Sequence, residues 1–589
     1  MSGPRDGDAR EPLNPVWSRG LRRAAPIAAI VLLAVVLREI PSLANAAWGN
    51  DFGIYLGLTE RMVQTGQLFP AYDGWGSSYQ YFPTLYLVTA GAHVLTGADV
   101  MAVLLRVAGV IGGLIVLLFF LTAMELFRSR RLALLAALIL AVDPNHIYAT
   151  AHSAPLVMGH LGLVLVLWLF VRWRRGASWV PLVPASLFLL MSHHLGTYFL
   201  ILAVAGIAVG SRLLGRSDDR RFRLDLLFLA AFLAAAFAYW GWVATPVMGY
   251  ALTATGLPGP LALGALLGGV LLAERLVPRA APRVSSVVKR SGGWIKPGPA
   301  FATMLLFGLA LILLNIVVRP WGDRFALPPH ALLVLLPPLL VTCLAAAGLA
   351  AALKEFEWSP VLGLLVLFSL SLLFAFVTAS QFLISFRHLE YLSLPIALLA
   401  ASALLRADPW IRAYLARTRP AVRSASSGRV RAGVVAATVA ILLTNVASGY
   451  GVTNGTLGFD ERIPDVSWAL VEWMSGALPN NGTVAADHRM SQMLWARGFH
   501  PTNDDAVLVW TDTNRTLIET ELRSFTPRVD YVFVDYIMVE SGIQSGTNTA
   551  PPKMTAESLA KFQDPPFRLV HRIESPDGSR WAEVYAVEW

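Results

Sequence analysis

Asp51 stands in a long stretch between two apolar runs, PSLANAAWGNDFGIYLGLTERMVQTGQLFPAYDGWGSSYQYF, residues 41–82. A carboxylate at a membrane face can bind a metal ion or take a proton from an acceptor. Asp51 also begins a helix-like segment, with Ile54, Leu58 and Met62 repeating every four residues up to Gln64. Capping free backbone N–H groups is therefore the plain alternative. Asp73, before Gly74, has its own plain alternative, a turn. Arg387 opens another apolar run in Phe386-Arg387-His388-Leu389-Glu390-Tyr391-Leu392-Ser393-Leu394-Pro395. Its planar fork suits phosphate oxygens, and an arginine at a membrane is costly unless paired or interfacial. An ion pair with Glu390, three residues on, or an outward snorkelling side chain competes with that reading. His146, His152, His193 and His194 fall near the ends of further apolar runs.

Those side chains need a frame. The chain has 589 residues, 56% of them hydrophobic and 14% charged, where a soluble chain carries roughly 25% charged. Disorder is excluded by the hydrophobicity. The single Cys343 excludes a disulfide framework and a Cys-based zinc site. The composition predicts a polytopic α-helical membrane protein. Runs that can span lie near 24–40, 101–124, 132–150, 155–171, 179–192, 195–213, 224–246, 252–273, 299–318, 330–352, 360–379, 388–405 and 432–449, thirteen in all. Residues 83–97 are apolar but too short, and are expected to form an outer juxtamembrane helix.

Charge orients the frame. The net +9 divides into +17 for residues 1–449 and −8 for 450–589, which places a domain boundary near Tyr450. With the N-terminus inside, 30 of the 36 basic residues before Tyr450 fall in cytoplasmic segments. The exceptions are Arg38, Arg61, Arg106, Arg319, Arg324 and Arg387. Basic residues dispersed over separate loops exclude a nucleic-acid partner. The layout is therefore a cytoplasmic tail (1–23, polar, without a cleavage pattern), a membrane domain (24–449, with the first outer loop at 41–97) and an extracytoplasmic α/β domain (450–589). The expected location is the plasma membrane, with multiple passes.

In the last domain, helices are expected near 466–477, 490–497, 514–523 and 555–563. Strands are expected at Thr483–Ala486, Ala506–Val509, Tyr531–Val534, Phe567–Ile573 and Trp581–Val587. It holds no nucleotide fingerprint and no nucleophile elbow. Three sequons begin at Asn454, Asn481 and Asn514.

The order of these features resembles the GT-C glycosyltransferases. The resemblance rests on the first-loop acid, then Tyr81-Phe82-Pro83-Thr84-Leu85-Tyr86, Asp99 and Arg106. After these come the basic turn Leu126-Phe127-Arg128-Ser129-Arg130-Arg131 and the run ending Asp143-Pro144-Asn145-His146. The pattern looks like protein O-mannosyltransferases, aminoarabinose transferases and the oligosaccharyltransferase catalytic subunit. It implies a GT-C-like fold and inverting transfer of a sugar from a polyprenyl-phosphate carrier on the outer face. The acceptor is a glycan, lipid or protein. Asp51 matches the family's catalytic acid, and Arg387 its late phosphate-binding arginine, with Arg61 and Arg106 as further phosphate candidates.

The family's second acidic position is filled here by histidines. Imidazole can replace carboxylate as a ligand, so Asp51, His146, His152 and His193 are the candidate set for a divalent ion, Mg or Mn. The segment Trp468…Asn480-Asn481-Gly482 to Ala485-Ala486-Asp487-His488-Arg489 is laid out like the start of the oligosaccharyltransferase outer domain, without its Trp-Trp and Tyr-Gly. That places Asp487, His488 and Arg489, with Tyr81 and Asp323, as acceptor candidates. An oligosaccharyltransferase acting on protein, a lipid or glycan transporter, and a non-catalytic assembly subunit are the rival readings.

Overall fold

The computed structural model describes residues 15–255, 258–318, 327–378, 383, 386–418, 427–450, 460–544 and 551–589; residues 15–22, 251, 254–255, 416–418, 427 and 504 are described by backbone alone. The membrane region begins with helices α1 (Pro15–Ala44), α2 (Phe52–Thr65), α3 (Thr84–Thr96), α4 (Val100–Phe127), α5 (Arg130–Ala141) and α6 (Pro144–Ala151), with a short strand β1 (Ala47–Trp48) before α2. It continues through α7 (Pro155–Arg174), α8 (Leu182–Leu190), α9 (His194–Leu213), α10 (Asp219–Trp242), α11 (Thr245–Thr255) and α12 (Gly259–Trp294). It closes with α13 (Pro297–Val318), α14 (Ala331–Ala352), α15 (Ser359–Thr378), α16 (Arg387–Thr418) and α17 (Ser427–Ser448).

Among the described residues, eleven helices are long and apolar enough to cross a membrane, or twelve if the pair α5–α6, bent by 63°, is one span. The expected run at 179–192 is instead α8, nine residues long, short of the ~20 that a span needs. The ends of the helices still alternate between two sides. On one side Arg175 pairs with Glu125, Arg221 bonds the Trp173 carbonyl, Arg406 pairs with Glu355, and Arg216 reaches the Glu357 carbonyl. On the other, Tyr239 donates to the Tyr81 carbonyl, Thr84 to Ser192, and Trp48 packs on Tyr450. The short α8 joins the two sides, with Arg175 before it and Ser192 after it. The residues 83–97 form α3, as expected, in the first-loop region.

Arg38, fully buried in α1, explains one exception to the charge rule. The α5–α6 break falls at Asp143-Pro144. Pro144 occupies the first helical turn, where its missing N–H costs nothing, and Asp143 caps α6 by accepting from the His146 N–H. The break frees carbonyls at the end of α5. Arg38 fills that gap: it donates to the Ala141 carbonyl, to Thr150 Oγ1 at 2.6 Å and to His146 Nδ1 at 2.7 Å.

The C-terminal domain starts with strand β2 (Arg462–Ile463) and helix α18 (Asp465–Ala477). Then come β3 (Thr483–Ala485), α19 (His488–Ala496), β4 (His500–Pro501), β5 (Tyr531–Asp535), β6 (Phe567–Glu574) and β7 (Trp581–Val587). Five strands form one sheet in the order β4-β3-β5-β7-β6, parallel among the first three and antiparallel beyond. The strand expected at 506–509 is helical: a 3-10 turn, Asn503–Ala506, leads into the short helix Leu508–Thr511. Trp510, buried beside it, donates to the Phe533 carbonyl of β5. A short apolar run does not fix its own period, and this one packs on the sheet instead of joining it.

Candidate active site

The first loop and the C-terminal domain are built into each other. β1 pairs antiparallel with β2, Ala47 opposite Ile463 and Trp48 opposite Arg462. The Gly49 N–H continues the ladder to the Glu461 carbonyl at 3.0 Å. Gly49 has φ +113°, and a Cβ there would lie 3.1 Å from the His152 ring, so only glycine fits the turn into α2. Helix α2 buries Phe52, Ile54, Leu58 and Met62 and stops at Gly66, a left-handed cap bonded to Met62 O. It lies against α19 almost backbone to backbone. A Cβ on Gly53 would sit 2.2 Å from the Gln492 carbonyl, and one on Gly57 would sit 2.6 Å from the Trp495 ring. Small residues four apart permit that approach, and it carries the start of α19 to the start of α2.

Asp51 stands where they meet. Although it precedes α2, its side chain makes no capping bond. Oδ1 meets His488 Nε2 at 2.9 Å, and Oδ2 accepts from Tyr79 Oη at 3.0 Å and from Tyr55 Oη at 3.4 Å. The carboxylate keeps 29% of its surface exposed. Burial works to raise the Asp51 carboxyl; the hydrogen bond and charge of His488, the Tyr79 bond and the positive charge of Arg387 outweigh it and hold Asp51 below the ordinary aspartate range. Burial and the neighbouring Asp51 push Tyr79 well above the usual tyrosine value, so it stays a donor.

A second carboxylate comes from the same junction. Glu461 Oε2 accepts from Tyr148 Oη at 2.5 Å and meets His152 Nε2 at 2.7 Å, while His152 Nδ1 bonds the Tyr148 carbonyl at 2.7 Å. Two acceptors facing the two ring nitrogens require two N–H groups, so His152 is the imidazolium partner of Glu461. Burial raises the Glu461 carboxyl, but His152 and Tyr148 leave it below its ordinary value. Arg387, at the head of α16, adds its positive charge to both carboxylates. Its Nη1 pairs with Glu390 Oε1 at 3.0 Å, and Glu390 Oε2 lies 3.4 Å from His160 Nε2. The ion pair expected as the alternative for Arg387 thus exists, and 30% of the arginine side chain remains exposed.

Other expected residues lie elsewhere. Arg61 stacks on Trp495 at 4.2 Å, bonds the Ala71 carbonyl and lies 3.5 Å from Asp73, which also accepts from Trp495 Nε1. Arg106 pairs with Glu39 at 2.8 Å at the end of α1 that leads into the first loop. Both arginines are committed to tying the loop and helices together. Asp487 and Arg489 are buried, so they do not face an acceptor. Arg489 binds Asp487 at 3.1 Å and Asp535 at 2.9 Å, and Asp487 caps α19 by accepting from Met490 N–H. They hold His488, which does reach Asp51. Tyr81 packs by Phe69 and gives its carbonyl to Tyr239. Asp323, Arg319, Arg324 and the sequon at Asn454 lie outside the described residues.

The expected ion ligands Asp51, His146, His152 and His193 do not surround one point. His146 is bonded to Arg38, His152 to Glu461, and His193 Nδ1 accepts the Leu195 N–H as the cap of α9. Among the described residues, no three His, Cys, Asp or Glu side chains are grouped as ligands of an ion. The oxygens of Asp51 and Glu461 are instead held by N–H and O–H donors. As arranged, these residues do not fit a divalent ion.

Sequence reading missed Glu461, Tyr79, Tyr148 and the Glu390–His160 pair. One signal was present for the docking helix: Gly53 and Gly57, four apart in an otherwise bulky amphipathic segment. Nothing local marked Glu461, which lies 309 residues from His152.

No family model and no curated protein matches the chain. Solved structures do. The archaeal oligosaccharyltransferase AglB from Archaeoglobus fulgidus, in complex with an inhibitory peptide and a dolichol-phosphate, matches with TM-score 0.58 at 15% identity, over 97% of this chain and 75% of that one. The Archaeoglobus fulgidus oligosaccharyltransferase in complex with Zn and sulfate matches with TM-score 0.51 at 14% identity, over 95% and 73%. ArnT from Cupriavidus metallidurans, bound to undecaprenyl phosphate, gives TM-score 0.42 at 13% identity, over 95% and 98%. This chain shares the fold of the archaeal oligosaccharyltransferase structures, a helical membrane bundle joined to a C-terminal α/β domain.

Proposed function

We propose that the chain is a membrane glycosyltransferase that moves a sugar from a polyprenyl-phosphate-linked donor to an acceptor hydroxyl, inverting the anomeric carbon. The observation that carries this reading is the Asp51 carboxylate. It is ionised, partly exposed, excused from helix capping, and oriented from both sides by His488 and Tyr79 within the field of Arg387. The dolichol-phosphate in the AglB complex supports the donor class.

In the mechanism, the acceptor hydroxyl enters beside Asp51, which takes its proton as the oxygen attacks the anomeric carbon. The bond from that carbon to the carrier phosphate breaks with its electron pair, and Arg387 stabilises the departing phosphate. The ionised Asp51 is a weak base in the ground state, so proton transfer comes late, as the hydroxyl oxygen becomes bonded to carbon. The reacting face is opposite the side where the arginine clusters gather. By the positive-inside rule it is extracytoplasmic, with thirteen crossings when α5–α6 and α8 each count as one.

Transfer of an oligosaccharide to protein is the second reading, favoured by the inhibitory peptide in the AglB complex. Against it, the segment at the peptide-binding position of that family is Ala485–Arg489, whose Asp487 and Arg489 are buried in an ion network. The test is a deletion strain complemented with wild type or Asp51→Asn, read by mass spectrometry of envelope glycans and lipid-linked sugars. Asp51→Asn should lose transfer by about 100-fold or more. Full restoration of the glycans at normal expression would overturn the catalytic role.

A further inference from the structure

Helix α12 is 36 residues long, about 54 Å at 1.5 Å per residue, far beyond a hydrocarbon core of about 30 Å. Its course is fixed by three contacts. Glu274 pairs with Arg223 at 3.0 Å, near the start of α10. Lys289 sits over the Phe356 ring at 4.7 Å. Gly292 abuts Leu353, just past α14, where a Cβ would lie 3.2 Å from the carbonyl. All three partners are on the arginine-bearing side, yet Glu274 and Gly292 are separated by about 27 Å of helix. The second half of α12 therefore runs along that side of the bundle. Pro278 and Pro282, interior to the helix, lie just past Glu274, where lost backbone bonds ease a change of direction.

The surface of this half has three faces. At about 100° per residue, Arg275, Arg279, Arg283, Lys289 and Arg290 fall within an arc of about 120°, and all five are exposed. Val277 and Val288, on the opposite side, pack against the core. Between these faces stand Leu276 and Val287, 49% and 54% exposed. No acidic residue occurs between Glu274 and Asp323. At the end of the helix, Trp294 is 86% exposed. It helps line a cleft of about 350 Å³ with Lys296, Thr303, Met304 and Phe307, within the roughly 300–1,000 Å³ range of ligand clefts. Lys296 is its one charged lining residue.

We propose that residues 275–307 form a binding site for an anionic phospholipid on the side of the membrane opposite Asp51. Lys296 meets the headgroup phosphate, and the cleft between Trp294, Met304 and Phe307 takes the start of an acyl chain. The basic arc of α12 faces the surrounding anionic surface, where positive charge beside apolar side chains is the signature of an interfacial helix. Topology alone explains the number of basic residues. It does not explain their gathering on one face of a helix that ends at an apolar cleft. The site is separate from the phosphate role of Arg387, at the other end of α16, and stands independently of sugar transfer.

The test is lipid retention by full-length protein. Wild type, Lys296→Gln, Thr303→Trp and the triple variant Arg275→Gln/Arg279→Gln/Arg283→Gln are reconstituted in vesicles of equal phosphatidylglycerol and phosphatidylcholine. They are then extracted in mild detergent and examined by native mass spectrometry. Wild type should keep phosphatidylglycerol in preference to phosphatidylcholine. Each cation removed should cost about fivefold in retention, so the triple variant should lose on the order of 100-fold. Thr303→Trp fills the cleft with all charges intact, and should lose retention too. Equal retention of the two lipids by wild type, or unchanged retention in both Lys296→Gln and Thr303→Trp, would overturn the proposal. Melting temperatures of the detergent-extracted variants separate loss of the site from loss of the fold.

Discussion

Gly53→Ala tests whether the C-terminal domain completes the site. The added methyl group would lie 2.2 Å from the carbonyl carbon and oxygen of Gln492 and 2.4 Å from the Met493 nitrogen. Ordinary contact begins near 3.4 Å, so the overlap is about 1.2 Å, and backbone atoms on both sides cannot rotate away. The helices α2 and α19 must part by about that distance. The bond between His488 and Asp51 is 2.9 Å long, so parting by ~1 Å breaks it. Misplacement of that size costs about 100-fold in rate. Overpacking costs about 1–3 kcal/mol in stability, partly offset by the 0.5–1 kcal/mol or so that alanine gains over glycine in a helix. The assay is sugar transfer in proteoliposomes alongside thermal melting. Gly91→Ala in α3, where nothing lies within 4 Å of the added carbon, is the control and should keep full activity. Gly57→Ala would meet the Trp495 ring at 2.6 Å and the Ala496 Cα at 3.2 Å, a milder overlap, and should fall between the two. Wild-type transfer by Gly53→Ala at unchanged melting temperature would refute the reasoning.

Four further outcomes are expected. Asp51 is held below its ordinary value of 3.8; its activity is therefore present at neutral pH and lost only as pH falls through that lowered value, so the acid limb of the pH–rate profile contributed by Asp51 should lie below 3.8, and His488→Ala should move it upward. His488→Gln, which keeps an N–H donor, should retain much more transfer than His488→Ala, whose loss of a bond to a charged group is worth about 1.5–3 kcal/mol, or roughly 10–150-fold if it is made in the transition state; equal rates for the two variants would remove the donor role. Glu461→Gln should loosen the pairing of β1 with β2, seen as faster hydrogen exchange at Gly49 and Trp48, while leaving the five-stranded sheet protected. Arg489→Met leaves Asp487 and Asp535 buried without their cation and should destabilise the C-terminal domain by about 3–5 kcal/mol, measured by denaturant unfolding.

The membrane layout was legible because hydropathy and arginine placement are summed over many residues, and no single contact decides them. The runs from 24–40 to 432–449 became helices, and the arginine clusters met on one side. Two runs departed from the expectation: 132–150 is broken at Asp143-Pro144 into α5 and α6, and the shortest, 179–192, holds a helix of nine residues. The sheet of the C-terminal domain was equally legible, down to β5, β6 and β7, which are rich in β-branched and aromatic residues. The strand at 506–509 was not, because four apolar residues carry no period of their own.

The sequence by itself determined which residue types were available: three acids in an aromatic first loop, Asp51 among them, one arginine at the head of a late helix, and histidines at a later turn where a second acid was expected. It could not say which of them meet. Asp51 is oriented by His488, 437 residues away, and His152 is paired with Glu461, 309 residues away. Arg61 and Arg106, alike in type to Arg387, are spent on Trp495, Asp73 and Glu39. These outcomes rest on two close approaches, β1 on β2 and Gly53 on α19. Local propensity cannot encode such contacts, because each half costs free energy until the other half arrives to satisfy its backbone and bury its surface.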